Sequence, residues 1–297
     1  MFSTHIIIVN YNAGDWLIRS VRSALAFSEG RISIVDNASS DNSIANARRE
    51  FSGQARLNWI ENADNRGFAA ANNQVLEVLE ADFAVLMNPD CEINAQSLPL
   101  ILEALSANPN MGIASCRILN EDGSLQATCR RRFPTPWSAL VRMLQLHKLF
   151  PQNMQFANFD YGDEVAVDSG THAVEAISGA FMVVKKQALE QVGVLDQAYF
   201  MHCEDLDWCK RFDLHGLDVG FVSSASVLHA KGVSSASRPI KVLWTFHQVM
   251  NRFFDTHYSN QYPWPLRYLV KLGIGLSFLV RTVLTILKGI LPSRGKA

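Results

Sequence analysis

The stretch Ile6-Ile7-Ile8-Val9-Asn10-Tyr11-Asn12-Ala13-Gly14 runs four β-branched residues without a break into a cluster of turn formers. An uninterrupted apolar run of this length predicts a strand covered on both faces, as in a parallel sheet. The Asn and Gly residues that follow favour a turn, because Asn bonds its own backbone and Gly accepts positive φ. The pattern then repeats. Leu17, Val21, Ala24 and Leu25 share one helical face. Residues 32–35 form a second buried run, closed by Asp36-Asn37-Ala38-Ser39-Ser40-Asp41. A helix near residues 43–51, a weaker strand at 57–60, a loop at 61–67, a helix at about 69–79 and a strand at 83–87 follow. Short apolar runs alternating with helices predict an α/β fold, a mostly parallel Rossmann-like sheet with helices on both faces. Ligands of such sheets bind at the carboxyl ends of strands. Three strand ends here are rich in Asn and Asp, at residues 10–12, 36–41 and 88–90.

Further strands are predicted at 112–119 and 173–184. Between them lie Arg130-Arg131-Arg132, Pro134, Pro136 and Trp137, then residues 152–171 with little periodicity, which together read as an insertion. From Pro239 the chain changes character. Residues 240–258 are helical and aromatic-rich, Pro263 and Pro265 interrupt, and 266–291 are strongly apolar. The chain therefore divides into residues 1–238 and a helical region, 239–297. Its 297 residues, 48% hydrophobic and 19% charged, exclude a disordered chain, a collagen and a disulfide scaffold. A net charge of −1 argues against nucleic acid as a partner. The five cysteines are scattered, with no CxxC pair, and read as reduced thiols. The N-terminus has no basic segment and too short an apolar run for a secretory signal.

Several places carry chemistry. Asp90, in Asn88-Pro89-Asp90, follows a buried strand, where a carboxylate suits a hard cation shared with substrate phosphates; an Asx-Pro turn explains the tripeptide equally well. Asp36 is placed to accept a hydrogen bond from a pyrimidine N3–H, whereas Asp41 suits the start of the next helix. In Asp64-Asn65-Arg66-Gly67-Phe68, Arg66 can approach a diphosphate and Gly67 permits close backbone approach. Asn72 and Asn73 are poor helix formers inside a helix, which favours a contact for one of them. Glu204, Asp205 and Asp207 cluster at a helix N-terminus, where the dipole stabilises negative charge. Asp207 and Arg211 can pair across one turn. A carboxylate in that first turn can take a proton from a hydroxyl; capping plus a surface ion pair is the alternative. His229 follows an apolar stretch and becomes a ligand candidate only if Asp90 holds a metal.

Taken in order, these elements resemble family-2 glycosyltransferases of the GT-A fold, in particular their bacterial rhamnosyltransferase-like branch. The resemblance spans roughly residues 5–235. It rests on Val9-Asn10-Tyr11-Asn12, Val35-Asp36 through Asp41, Asn65-Arg66-Gly67-Phe68 with Asn73, Asn88-Pro89-Asp90, Ile177-Ser178-Gly179-Ala180, Glu204-Asp205-Leu206-Asp207 and His229. It implies that Asp36 contacts the nucleotide base, within a donor-binding set of Asn10, Asn12, Asp36, Arg66, Gly67, Asn73 and Asn88. It implies that Asp90 is the last acid of a DxD metal motif, with Asn88 replacing the first, and that His229 completes the metal site for Mg²⁺ or Mn²⁺. Asp205 corresponds to the catalytic base, with Glu204 beside it. The implied reaction is a metal-dependent single displacement with inversion, from a uridine or thymidine diphosphate sugar, dTDP-rhamnose first, to a lipid-linked or polysaccharide acceptor. That places the enzyme in cell-envelope glycan synthesis. Two rivals stand beside it. A nucleotidyltransferase that makes nucleotide sugars normally has a basic, Gly-rich loop after its first strand, which residues 10–14 lack. A non-catalytic nucleotide-sugar-binding membrane scaffold is the other.

Residues 266–297 hold Arg267, Lys271, Arg281, Lys288, Arg294 and Lys296 and no acid. On a helix turning ~100° per residue, Arg267, Lys271, Arg281 and Lys288 fall within one arc of about 100°. A cationic stripe opposite a broad apolar face predicts a helix lying in an anionic membrane surface, at the cytoplasmic face of the inner membrane. A core helix and a tilted spanning helix are the alternatives. The three arginines at 130–132 read as a solvated loop, or as contacts to an acceptor phosphate.

Overall fold

The computed structural model describes residues 2–143, 145–149, 170–230 and 239–290. The chain separates into two compact units, Met1–Phe200 with Glu204–Ser234, and Met201–Cys203 with Ser235–Ala297.

The first unit begins with the expected alternation: β1 (Thr4–Asn10), α1 (Trp16–Phe27), β2 (Arg31–Asp36), α2 (Ser43–Glu50), β3 (Leu57–Glu61), α3 (Gly67–Leu76) and β4 (Phe83–Met87). Then come β5 (Cys91–Glu92), α4 (Ser97–Ala107), β6 (Met111–Leu119), β7 (Arg130–Arg131), α5 (Pro136–Met143) and α6 (Leu146–Leu149). The unit closes with β8 (Thr171–Val174), β9 (Ala176–Ile177), β10 (Phe181–Lys185), α7 (Lys186–Val192), α8 (Glu204–Leu214) and β11 (Asp218–His229). One sheet runs β3-β2-β1-β4-β10-β6-β11-β5, with β8 also on β11. Strands β1 to β4 pair in parallel, as do β6 and β11. Ile6, Ile7 and Ile8 are wholly buried, each contributing about 1.5–3 kcal/mol of apolar burial.

Two differences from the sequence expectations matter for the site. The run 173–184 is not one strand. It divides into β8 on β11, β9 on β7, and β10, which enters antiparallel between β4 and β6. An apolar run carries no information about which strand each part will pair with, so one long strand and three short ones look alike. The second concerns the arginines. Arg130 is 2% exposed, with its guanidinium 5.0 Å from the Phe221 ring. Arg130 and Arg131 form β7 rather than a solvated loop. The part of the predicted insertion at 152–169 lies outside the described residues.

The second unit contains α9 (Pro239–His257) and α10 (Trp264–Ile290). Pro265 does not interrupt α10 but sits in its first turn, where a missing N–H costs nothing. The two helices are antiparallel partners. Lys271 pairs with Asp255 at 2.8 Å, His247 reaches Ser277 at 3.4 Å, Trp244 packs edge-on against Phe278, and Arg281 lies over Phe246. The stripe expected to face headgroups is therefore corrected for two of its residues: Lys271 and Arg281 turn toward α9. What α10 leaves outward is apolar, with Leu272, Leu276 and Leu279 each more than half exposed. The window Trp264–Leu287 is long and apolar enough to cross a membrane by length and composition.

Candidate active site

At the ends of β1 and β2, register places Asn10 opposite Asp36. Asn10 is wholly buried, and its Nδ2 donates to Asp36 Oδ1 at 2.7 Å, with Ser39 Oγ and Ser43 Oγ also within 3.0 Å. Asp36 Oδ1 also accepts the Ser39 hydroxyl, and Oδ2 accepts the Ser39 N–H at 3.0 Å. A carboxylate offers about four acceptor positions, so three donors leave one on Oδ2. Asn12, at φ 53°, accepts the Ser40 N–H at 2.7 Å. Asp41 accepts the Ser43 N–H at the start of α2, as its position suggested. Asn10 and Asn12 thus hold the loop that presents Asp36.

Gly67 is required for its shape. Its φ is +83°, and a Cβ there would come within 2.5 Å of the Phe200 carbonyl oxygen, which accepts the Phe68 N–H. Arg66, just before α3, is exposed. Asn73 is turned to the backbone of Leu195. Its Nδ2 donates to Leu195 O at 2.8 Å and its Oδ1 accepts the Leu195 N–H at 3.2 Å, a tether between distant segments with both polar atoms occupied. Asn72 donates one turn back, to Phe68 O.

Register also assembles the opposite part of the site. β5 pairs antiparallel with the end of β11, placing His229 opposite Cys91. That brings His229 Nε2 to 3.1 Å from Asp90 Oδ1 and 3.4 Å from Asn88 Nδ2. Gln126 Nε2 donates to the His229 carbonyl at 2.8 Å, so Gln126 Oε1 faces Nδ1 at 3.1 Å. Nδ1 therefore carries the hydrogen. In the neutral imidazole, the Nε2 lone pair then faces a carboxylate oxygen. Two lone pairs converging at this distance suit a shared cation, and a metal-binding histidine commonly donates its other N–H to an oxygen. Asp90 and His229 therefore fit a divalent ion. Among the described residues no cluster of three or more His, Cys, Asp or Glu side chains could hold one. Remaining positions would fall to water, Asn88 or a ligand's phosphate oxygens.

The third part is the start of α8. Because β10 runs antiparallel to β4, with Phe181 opposite Met87, the turn Ser178-Gly179-Ala180 arrives at the edge where Asn88 lies. The Asn88 N–H donates to Ala180 O at 2.9 Å. The Gly179 N–H donates to Asp205 Oδ2 at 2.9 Å, and Arg131 forms an ion pair with the same oxygen. Asp205 and Glu204 are 8% and 9% exposed. Asp207, 1% exposed, pairs with Arg211 at 2.9 Å, and that guanidinium also donates to Val192 O and Val194 O. Asp207 is thus committed to holding the preceding loop.

Burial, reinforced by the neighbouring Asp205 charge, pushes the Glu204 carboxyl up to about 8 from an ordinary value of 4.5. Its Oε2 is buried and has no hydrogen-bond partner among the described residues. The unfolded chain releases this proton near 4.5, whereas the folded chain keeps it until about 8. Glu204 therefore favours folding at low pH and progressively less as pH rises through that window. Glu204→Gln should remove the loss: urea midpoints at pH 5 and pH 8 should converge in the variant relative to the parent. Equal pH slopes in the two proteins would contradict the assignment.

A sheet whose strand ends carry Asp36, an Asp90–His229 pair and a buried Glu204-Asp205 start of helix has the layout of a GT-A fold. The profile of "Glycosyl transferase family 2" matches residues 5–174, and the chain belongs to that family. It is 25% identical over 287 residues to the N-acetylglucosaminyl-diphospho-decaprenol L-rhamnosyltransferase of Mycobacterium tuberculosis, covering 91% of this chain and 90% of that one. It is 27% identical to the rhamnosyltransferase WbbL of Escherichia coli, over 50% of this chain and 52% of the relative. Among solved structures, GalNAc-T7 with UDP, GalNAc and Mn²⁺ superposes with a TM-score of 0.59 at 14% identity, over 92% of this chain and 54% of that longer one. The protein is a family-2 glycosyltransferase of GT-A fold.

Sequence reasoning missed Arg131 and Gln126. Arg131 stood in a run that looked like surface charge. Gln126 had no local signal, since its role depends on an imidazole 103 residues away.

Proposed function

We propose that the protein is an inverting, divalent-metal-dependent glycosyltransferase of cell-envelope glycan synthesis. It transfers L-rhamnose from dTDP-rhamnose to a polyprenyl-diphosphate-linked acceptor. The observation that carries this reading is the Asp90–His229 pair, joined through Asn88, Ala180 and Gly179 to the buried Asp205 at one sheet edge. The choice of sugar and acceptor rests on the names of the relatives. Residues 1–238 form the catalytic domain and 239–297 the membrane-associating region.

Asp36 keeps one acceptor position for a pyrimidine N3–H, on a loop held by Asn10 and Asn12. Arg66, Gly67 and Asn88 flank the donor's diphosphate. Asp90 and His229 would hold Mg²⁺ or Mn²⁺, which would supply positive charge against the departing diphosphate. Asp205 accepts the acceptor hydroxyl's proton as its oxygen bonds to the anomeric carbon from the face opposite the phosphate. The sugar–phosphate bond breaks, configuration inverts, and the nucleoside diphosphate leaves as an anion.

A panel of nucleotide sugars with Mn²⁺ tests the reading. Release of dTDP from dTDP-rhamnose is expected. Exclusive use of a purine-nucleotide sugar would remove the base-contact role of Asp36. Pyrophosphate formation would indicate nucleotidyl transfer, and tight binding without turnover a scaffold.

The outward apolar face of α10 seats the protein on the cytoplasmic surface of an anionic membrane, with Trp264 and Tyr268, both largely exposed, at interface depth. Leu272, Leu276 and Leu279 lie on one face at spacings of four and three. Changing all three to Glu should cut co-sedimentation with anionic vesicles at least tenfold, while soluble donor hydrolysis persists. Unchanged vesicle binding would refute the anchor.

A further inference from the structure

The carboxylate of Asp205 is gripped by two donors from outside its own helix and one from within it. Oδ2 receives Arg131 and the Gly179 N–H at 2.9 Å, and Oδ1 receives the Leu206 N–H at 2.8 Å. Three donors fix the carboxylate plane and leave acceptor capacity on Oδ1. Arg131 is itself held, since its Nη2 also donates to Ile177 O at 3.1 Å. Arg131 and Gly179 belong to one small element. β7 pairs antiparallel with β9, Arg131 opposite Ala176 and Arg130 opposite Ile177, and the Ser178 N–H donates to Cys129 O. Phe133, two residues past Arg131, is fastened to the same ribbon by the Glu175 carboxylate, which accepts its N–H at 2.6 Å. Ala176 and Ile177 of this ribbon are wholly buried, and the ribbon with the turn after it delivers two converging donors to one carboxylate oxygen.

We infer that Arg131 is a positioning residue for catalysis: the β7–β9 ribbon clamps Asp205 Oδ2 so that Oδ1 is aimed at the acceptor hydroxyl. The inference rests on the proposed role of Asp205 as base. It separates two adjacent carboxyls by environment. Asp205 has a guanidinium partner, whereas Glu204 is buried with one oxygen lacking any partner among the described residues. Groups whose surroundings differ in this way take different protonation roles. The clamp therefore orients Asp205. The charge of Arg131 is largely shielded from solvent, with its side chain 14% exposed, and it pairs with Asp205.

The test compares Arg131→Gln, Arg131→Lys and Asp205→Asn in the full-length protein, using dTDP-rhamnose with a polyprenyl-diphosphate N-acetylglucosamine acceptor and dTDP–Mn²⁺ calorimetry. Arg131→Gln should lower kcat about 100-fold, the scale of a misplaced catalytic group, with donor KM and dTDP affinity within a factor of about three. Arg131→Lys keeps the charge but loses the rigid planar guanidinium whose Nη2 donates to both Asp205 and Ile177, and should recover about tenfold of that loss. This graded recovery also covers the case in which the Gln variant folds poorly. Three results would overturn the clamp: near-parental kcat in Arg131→Gln with Asp205→Asn inactive, a loss confined to donor affinity, or a Lys variant no better than Gln. An active Asp205→Asn would instead overturn the assignment of the base.

Discussion

Asp205→Asn should abolish sugar transfer while dTDP still binds with parental affinity. Asn keeps the shape of Asp205 but cannot take a proton from a hydroxyl, and general base catalysis is worth about 10²–10⁴ in rate. The loss should fall on kcat, because the proton moves in the transition state. The change also removes the carboxylate charge that pairs with the Arg131 guanidinium, only 14% exposed. Removing one partner of a buried pair costs about 3 kcal/mol, so the assay belongs well below the variant's melting temperature. Turnover close to the parental value would transfer the base role to Glu204.

Asp90→Ala should make donor binding weak and indifferent to Mn²⁺. In the structure the Asp90 carboxylate faces His229 Nε2, while its backbone carbonyl accepts the Ala230 N–H at 3.0 Å. The substitution removes the carboxylate and keeps that backbone link, so the fold should survive. Losing an anionic ligand should lower metal-dependent affinity for dTDP by about 100-fold or more, above the 10–100-fold range of outer-shell partners. His229→Ala retains the carboxylate and should lose about tenfold. Gln126→Leu, which frees Nδ1 of its partner, should fall at the lower end of that outer-shell range. Calorimetric titration of dTDP with and without Mn²⁺ reads all three variants. Parental, metal-independent binding by Asp90→Ala would refute the metal assignment.

Much of this architecture was legible in order along the chain. The largely apolar runs at 6–9, 32–35 and 83–87 announce buried strands, because covering both faces removes the usual alternation. Their Asn- and Asp-rich ends follow directly, since polar residues on a buried strand belong where it leaves the sheet. The acidic first turn of α8 was equally plain, and so was the Asp207–Arg211 spacing, which the structure closes at 2.9 Å. The apolar character of α10 was visible, but not which side would face α9. A cationic stripe looks the same whether it meets lipid headgroups or, as at Lys271, an acid on a neighbouring helix.

The sequence by itself determined the α/β order, the ends of strands where ligands gather, and the residue types able to bind a base, a cation and a proton. All of these follow from local periodicity and composition, which act over a few residues. Only the tertiary structure decided which of them meet. Asn88 and His229 are 141 residues apart and Arg131 and Asp205 are 74 apart. They are joined because β10 enters antiparallel beside β4 in one register, β5 pairs with the end of β11, and β9 turns aside to pair with β7. Register between distant strands depends on packing across the whole sheet, since a shift of one residue would turn each side chain to the other face. No stretch of the chain encodes that choice alone, and for this reason a buried ion pair at the start of α8 was written as three arginines in a row.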